Sequence, residues 1–590
     1  MDHLYIEIYA EDDNIYTSIK SFVALYVYLY LEEPDNIKLH FVLSKSHSDS
    51  ERIQLNSDYL QLSLDDERVI KKDTTLEESL FDLHLPVYNK DSDTYIAGMC
   101  AVCREIIMKH GKDESRKLLG FKESCLLATT EASMWTRFCE VNIVTGLSDV
   151  IRFMNGKFEL TELPVECVRF ENHMREPVRM HNIYKLAREK ANEESKKKVT
   201  IESSIPKDKL EIEHTFSEGV QFTIADLILY PCIRLIYDGC GGSMLDSFPL
   251  TKSWMSNVDN YDSKCLVLLN KTCIVPTTDG LRKHPLDLKV PNCEASSLYK
   301  SDPKRYKPRK RIFTEQKEVD AALNKLQTLE IPFSSTSTCT YDNFNIDWQK
   351  IEPSHAKSSA LPEKRLARKR QQLENLANAV VSLAKPGDRI VDFCSGTGHL
   401  GILLALQLPE CTVILLENKS ISLQRAKCRA IELQLKNIIF YQSNIDYFEG
   451  KFDIGCSLHA CGTGTDIVLA QCQRAKANFV CCPCCYGSLQ PMPHIKYPLS
   501  KQFRSILSEN EYMYIAHTAD QAHALGTLNC SEEHTRQGQL CMDIVDTDRK
   551  LQAENAGYCV ILTRLKPEDC TPKNRLLVGQ RISTNKGQII

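Results

Sequence analysis

The stretch from Arg389 to Glu417 restricts the fold of this chain more than any other. Arg389-Ile390-Val391-Asp392-Phe393-Cys394 reads as a buried strand, and Ser395-Gly396-Thr397-Gly398-His399-Leu400-Gly401 follows as a turn opening into an apolar helix from Ile402 to Leu408. Glycines at these places permit a sharp turn and let the backbone approach a ligand closely. Thr412 to Leu416 forms a second strand ending in Glu417. That carboxylate comes about 20 residues after the turn, where it can accept hydrogen bonds from both hydroxyls of a ribose. Strand, glycine turn, helix, strand and acid in this order specify a doubly wound α/β sheet with a ligand site along its carboxyl edge.

The third strand, Ile438 to Gln442, runs into Ser443-Asn444-Ile445-Asp446. Sheets of this kind place a polar group there against an adenine amine; the Asn444 carbonyl can accept that hydrogen bond, with Asp446 as the charged alternative. Gly396, Gly398 and Gly401 also fit the spacing of nicotinamide-dinucleotide folds, so the turn alone leaves the cofactor open. The next two strands separate the cases. Phe452 to Asp466, with His459-Ala460-Cys461-Gly462 and Thr465-Asp466, and Asn478 to Gly487, with Cys481-Cys482-Pro483-Cys484-Cys485-Tyr486, together resemble one branch of the S-adenosylmethionine (SAM)-dependent methyltransferases. The His-x-Cys-Gly element is similar to that of acceptor-stem tRNA ribose methyltransferases.

The resemblance implies a class I SAM-methyltransferase-type sheet over residues 355–590. SAM is the implied cofactor, held by Asp392, Gly396, Gly398, Glu417 and Asn444 or Asp446, with an RNA hydroxyl as acceptor. Methyl transfer from a sulfonium needs alignment and removal of one proton from the nucleophile. His459, at the mouth of the fourth strand, is the candidate base; the alternative is an imidazole that only bonds loop backbone. Cys461, Cys484, Cys485 and Tyr486 are expected to face the acceptor. A zinc site drawing on the Cys481–Cys485 run with Cys461 or His459 is conceivable chemically. Neighbours along a strand point to opposite faces, however, so buried or pocket-lining thiols and no metal are expected.

At the other end, Leu4 to Tyr9 reads as a strand, Tyr16 to Leu31 as an apolar helix and Ile37 to Leu43 as a strand. Leu85 to Tyr88, Tyr95 to Ala97 and a helix through Cys103 to His110 follow. From Ser115 to Tyr237 nearly everything reads as helix, and Thr223-Ile224-Ala225-Asp226 resembles a capping box with Asp in place of Glu. A βαβ–ββα half containing Leu85-Pro86-Val87, joined to a helical half with a Thr-x-x-Asp cap, resembles a glutathione S-transferase over about residues 1–245. It implies a thioredoxin-like domain at 1–112 and an all-helical domain at 113–245. The hydroxyl candidates after the first strand are Tyr16, Thr17 and Ser18, beside Asp12 and Asp13, whose carboxylates disfavour a neighbouring thiolate. The Glu-Ser pair that grips the γ-glutamyl group in that family would fall at Ile96-Ala97-Gly98-Met99, which lacks such donors. Glutathione is therefore not expected as a cofactor. Cys100 and Cys103 have redox-motif spacing but sit on the later helix, and are read as buried structural thiols. The two halves in succession resemble the glutathione S-transferase C-terminal domain-containing family over essentially the full length.

Residues 246–354 read as a linker or irregular basic segment containing the Lys304–Arg311 run. That run would contact phosphates or lie solvated as an open linker. Lys364, Arg365, Arg368, Lys369 and Arg370 form a second basic cluster, either a phosphate-contacting lip or a solvated helix face. The net charge of -5 gives no global pull toward nucleic acid, so RNA contact must be local to these two segments. An odd 25 cysteines in a long chain fit reduced thiols. The longest apolar run, Phe22 to Leu31, is half the roughly 20 residues a bilayer crossing needs. With no signal-like start, a cytoplasmic address and no membrane partner are expected. The competing function is a non-catalytic scaffold whose front half engages a protein partner, and glutathione transfer ranks last.

Overall fold

The computed structural model describes residues 1–44, 51–71, 82–130, 132–180, 182–196, 199–241, 246–274, 288–293, 296–299, 314–333, 346–348, 362–492, 494–521 and 532–582. The chain divides into two units, Met1–Asp302 and Pro303–Ile590.

The first unit is built on β1 (Asp2–Glu11), whose residues Leu4, Ile6 and Ile8 are fully buried. β1 turns through Asp12 and Asp13, both at positive φ, into β2 (Asn14–Ser18), and the Ile19–Tyr30 helix follows. The sequence reading started that helix at Tyr16. Instead Thr17 donates its hydroxyl to the Glu7 carbonyl across the hairpin (2.6 Å), and the Ser18 side chain accepts from Ser21 N as the helix cap. β3 (Ile37–Leu43) returns parallel to β1 and pairs with β5 (Val69–Lys71), after β4 (Arg52–Leu55) has paired with β2. β6 (Val87–Lys90) lies antiparallel to β1 and to β7 (Thr94–Ala97), which leads into the Met99–His110 helix. The expected βαβ and ββα elements are present, but β2 is inserted before the first helix and β4 and β5 before β6, strands the sequence pattern does not predict.

Helices follow at Ile143–Met154, Val165–Arg175, Ile183–Ser195 and Ile224–Cys240. The capping box is present: Asp226 accepts from Thr223 N (2.8 Å). Its other oxygen accepts from Ser217 N (2.7 Å) and from Trp254 Nε1 (2.8 Å). Trp254 belongs to a region expected to be irregular. Within it, Pro249–Tyr261 and Lys264–Thr272 are helices, and β8 (Cys273–Ile274) pairs with β4. Phe248, Trp254, Val258, Leu268 and Leu269 join the core of the first unit, which is why these residues are ordered where composition read as linker. Gln316–Leu326 is likewise helical, and Ala322 and Leu326 pack in the second unit. The Lys304–Arg311 run lies outside the described residues.

In the second unit five strands run parallel: β9 (Arg389–Phe393), β10 (Thr412–Glu417), β11 (Ile438–Gln442), β12 (Ile454–Cys461) and β13 (Asn478–Cys484). β14 (Tyr558–Arg564) and β15 (Arg575–Arg581) close one side, with β15 antiparallel to both β13 and β14. The order is β14-β15-β13-β12-β9-β10-β11. Val413 to Leu416 are all buried, as a strand covered on both faces requires. The Glu363–Leu383 helix lays Leu373, Leu376 and Val380 into this core. Chain order reverses between β9 and β12, and sheets of this class hold their ligand crevice outside the carboxyl ends of the strands at such a switch point.

Behind that edge lies a buried ionic network. Asp466 accepts from Arg549 Nε (2.7 Å) and Nη2 (3.1 Å) and from the Tyr497 hydroxyl (2.5 Å). Arg549 Nη1 donates to Asp546 (2.9 Å), which also accepts from the Tyr486 hydroxyl (2.6 Å). Among the described residues no helix is long and apolar enough to cross a membrane. Truncating one member of this network leaves a buried charge without its partner. Asp466→Ala or Arg549→Ala is expected to cost about 3–5 kcal/mol in chemical denaturation of the full chain.

Candidate functional site

The residues expected to hold a cofactor lie at or just past the carboxyl ends of β9, β10 and β11, with Asp392 and Gly398 buried and Gly396, Asn444 and Asp446 half-buried. Asp392, at the end of β9, accepts from Gly401 N (2.9 Å) and so ties the strand to the helix His399–Gln407. Burial, followed by the nearby Glu417 carboxylate, pushes the Asp392 carboxyl up to about 7. Glu417, at the end of β10, accepts from Gly396 N (2.8 Å) through one oxygen and from Lys419 N (3.0 Å) through the other. It thus holds the glycine turn in place.

The glycines divide the work. A Cβ at Gly398 would come within 2.6 Å of Leu415 and 2.7 Å of Ala426, and one at Gly401 within 2.5 Å of Leu415, so these two let helix and sheet close up. Gly396 differs: its φ is +57° and a Cβ there would meet nothing within 4 Å. Its bare face points into open space at the crevice, where backbone can come close to a ligand. Beside it the Ser395 hydroxyl is buried with no hydrogen-bond partner among the described residues. Asn444 and Asp446 lie half-buried just past β11, and Asn418 reaches Asn444 Oδ1 with its amide (3.4 Å). An open glycine face, an unpartnered hydroxyl, a carboxylate and an amide along one edge fit a nucleoside-bearing cofactor.

The flank toward the Glu363–Leu383 helix is cationic. Arg429 Nη1 donates to His399 Nδ1 (2.8 Å) and to the Thr397 carbonyl (3.3 Å). Burial, and after it the charges of Lys369 and Arg429, push His399 down to about 2, so it stays a neutral acceptor. Burial likewise lowers Lys369 to about 8. The basic cluster is therefore split. Lys364, Arg365 and Arg368 are exposed, whereas Lys369 and Arg370 are half-buried and Arg370 stacks over the Trp348 ring (5.6 Å).

His459 sits on a bulge: its φ is +79°, and the β12–β13 register slips between Leu458 and Cys461. Solvent reaches the ring from the crevice, while desolvation by the surrounding protein and then the Lys369 charge hold its pKa below the ordinary imidazole value. The slip places Cys461 opposite Cys484. Cys485 leaves the strand in left-handed backbone (φ 52°, ψ 51°), and its thiol turns back to the same place. Cys461 Sγ is 3.3 Å from Cys484 Sγ and 3.4 Å from Cys485 Sγ. Strand alternation argued against such a meeting, and the alternation ends at Cys484. Cys481 and Cys482 are buried elsewhere. Tyr486 was expected to face an acceptor; it is fully buried with its hydroxyl on Asp546, so it is an internal anchor.

The first unit holds a residue that motif reasoning missed. Glu140, buried within a π-helical turn (Phe138–Asn142), accepts from Met99 N (2.7 Å) and Cys100 N (2.6 Å), the first amides of the Met99–His110 helix. No local sequence signal marks it, because it comes from a distant helix. Tyr16 is raised above its ordinary value by burial and then by Glu11 and Asp12. Thr17 is buried, and Cys100 and Cys103 are buried thiols held high by desolvation.

Residues 368–492 match a family model described as a methyltransferase domain. A glutathione S-transferase C-terminal domain-containing protein homolog of Drosophila pseudoobscura pseudoobscura is 59% identical over 596 residues, covering 99% of this chain and 100% of the relative. The glutathione S-transferase C-terminal domain-containing protein of Homo sapiens is 35% identical over 563 residues, covering 84% and 86%. The ribosomal RNA small subunit methyltransferase G of Vibrio campbellii is 38% identical over 95 residues, covering 16% of this chain and 44% of its own.

Asp392 gives this site a pH signature. A buried carboxyl held up to about 7 in the fold but near 3.8 when exposed costs stability as pH rises between those values. Asp392→Asn keeps an acceptor for Gly401 N and removes the charge. The variant is expected to gain on the wild type progressively from about pH 4 to pH 7 and to hold the gain above. Its size is on the order of 2–4 kcal/mol, read by chemical denaturation across pH.

Proposed function

This chain belongs to the glutathione S-transferase C-terminal domain-containing family, and we propose that its second unit is a SAM-dependent methyltransferase acting on an RNA hydroxyl. The observation that carries the cofactor assignment is the Gly396 face, open to the crevice and fixed by Glu417. In this reading Gly396 lets the backbone pass close to the cofactor, and Gly398 serves it only by letting the helix close onto the sheet. Glu417 takes its ribose hydroxyls in exchange for a backbone amide, and Asn444 or Asp446 takes the adenine amine. Asp392 keeps the turn rigid through Gly401. When bound, the cofactor supplies an electrophilic methyl on a sulfonium sulfur.

The chain's own part in transfer is alignment and one proton. His459, displayed by its bulge at the carboxyl edge, receives the proton of the acceptor hydroxyl. Cys461, Cys484 and Cys485 border the same edge. The RNA assignment is supported by the exposed cations Lys364, Arg365 and Arg368 near the crevice flank and by the ribosomal RNA methyltransferase among the relatives. We read the first unit as a glutathione S-transferase-like module that binds a protein partner. Glu140 speaks against glutathione as its ligand, because a protein carboxylate already takes the helix amides that would meet the γ-glutamyl carboxylate.

Two measurements test these assignments. Calorimetric titration of SAM into the full chain is expected to show saturable binding that Gly396→Asp and Glu417→Ala each weaken beyond detection. A folded wild type that takes up none overturns the enzyme reading, while binding without methyl transfer to any RNA pool favours a cofactor-holding scaffold. On immobilised glutathione the full chain is expected to pass unretained, and elution of bound chain by free glutathione would reverse the reading of Glu140.

A further inference from the structure

We infer that Cys461, Cys484 and Cys485 form a three-thiolate site for a zinc-class divalent cation at the carboxyl ends of β12 and β13. All three sulfurs lie within 4.8 Å of one another, and two of the separations are 3.3 and 3.4 Å. A tetrahedral zinc with sulfur ligands at about 2.3 Å spaces those ligands about 3.8 Å apart, so small side-chain shifts complete one face of the tetrahedron.

Three departures from regular backbone produce this convergence. The β12 bulge brings Cys461 opposite Cys484. Gly462, at φ +57°, lies so close to Ser488 that a Cβ would approach its carbonyl oxygen to 2.6 Å, which presses the loops after β12 and β13 together. Cys485 takes the left-handed conformation that returns its side chain to its neighbour's side. Such backbone costs energy at a non-glycine residue, and the fold accepts it at both His459 and Cys485.

The burial pattern separates this trio from the other cysteines of the sheet. Cys456, Cys472, Cys481 and Cys482 are interior thiols, as small hydrophobes are. In the trio Cys484 is buried, Cys485 half-buried and Cys461 exposed, so one side opens to the crevice. Three protein ligands with an open fourth position is the arrangement of a zinc that also takes water or substrate. Two thiols could instead pair as a disulfide, but that leaves the third unexplained. On binding, sulfur–hydrogen bonds give way to sulfur–metal bonds and the displaced protons pass to solvent. Around the trio the charges are mixed: Lys573 acts on Cys485 and Lys419 on Cys461, while the Asp520 carboxylate, paired with Lys573 (3.0 Å), opposes ionisation of Cys461. The ion would tie the two loops that border the proposed acceptor side, and the inference stands whether or not methyl transfer does.

The test uses the full chain, reduced and stripped with a chelator, then titrated with Co²⁺ as the optical probe. A thiolate-to-cobalt charge-transfer band that saturates at one ion per chain and is abolished by added Zn²⁺ is expected. Cys461→Ser and Cys485→Ser should each weaken the binding on the order of tenfold or more, and Cys428→Ser, an exposed cysteine away from the trio, should leave it unchanged. Circular dichroism on each variant guards against misfolding, and exposed Cys461 decides the matter if Cys484→Ser fails to fold. No charge transfer in the folded wild type, or cobalt affinity unchanged in Cys461→Ser, overturns the site. Cobalt binding without SAM binding would leave this site standing and remove the methyltransferase reading.

Discussion

Arg549 is held by two aspartates in the interior of the second unit, and the carboxyl edge of the sheet depends on that arrangement. Asp466 begins the helix after β12, Asp546 and Arg549 belong to the Glu532–Asn555 helix, and Tyr486 and Tyr497 follow β13. One guanidinium therefore fixes the start of one helix, the middle of another and the loop beyond a strand. Charges so deep are stable only while each keeps its partners, which makes the geometry nearly all-or-none. Lys573 and Asp520 extend the restraint outward: Asp520 accepts from Gly487 N (2.8 Å) and Lys573 stands over the Tyr486 ring (5.5 Å). The bulge at His459 and the left-handed turn at Cys485 are strained features braced by this frame.

Both units use a carboxylate to satisfy backbone amides at the head of a helix or turn, with opposite consequences. Glu417 takes Gly396 N and Lys419 N beside the open face of Gly396. Glu140 takes Met99 N and Cys100 N from within a packed interior, supplied by another helix of the same unit. The first carboxylate stands beside an open glycine face and the second closes a helix end. The same physical device, anion on amide, thus steadies an open glycine turn in one unit and a closed helix end in the other.

The strand-turn-helix-strand geometry of the candidate site was legible because its parts are adjacent in sequence. Asp392, Gly396, Gly398 and Glu417 fall within one strand-turn-helix-strand unit, and hydrophobic runs and glycine spacing report such local geometry directly. The strands β1, β3, β6 and β7 and the Thr223–Asp226 cap were legible for the same reason, whereas β2, β4 and β5 are short strands fixed by pairing with partners elsewhere in the sheet. The helices at Pro249–Tyr261 and Lys264–Thr272 were not, since their order comes from Trp254 meeting Asp226 and from burial against distant residues. Tyr486 misled the reading because a tyrosine beside a cysteine run resembles a surface recognition element until Asp546, 60 residues later, captures its hydroxyl.

The sequence by itself determined the alternation of strands and helices from Arg389 to Gln442, the position of the glycine turn and the acid that follows it, because each is set by neighbours a few residues apart. Only the tertiary structure decided which thiols meet, which cations stay exposed and which helix end is already filled. Those outcomes turn on a register slip at His459, one left-handed residue at Cys485 and a carboxylate arriving from another helix. Each depends on contacts between segments far apart in the chain, and side-chain direction follows from such contacts rather than from residue type.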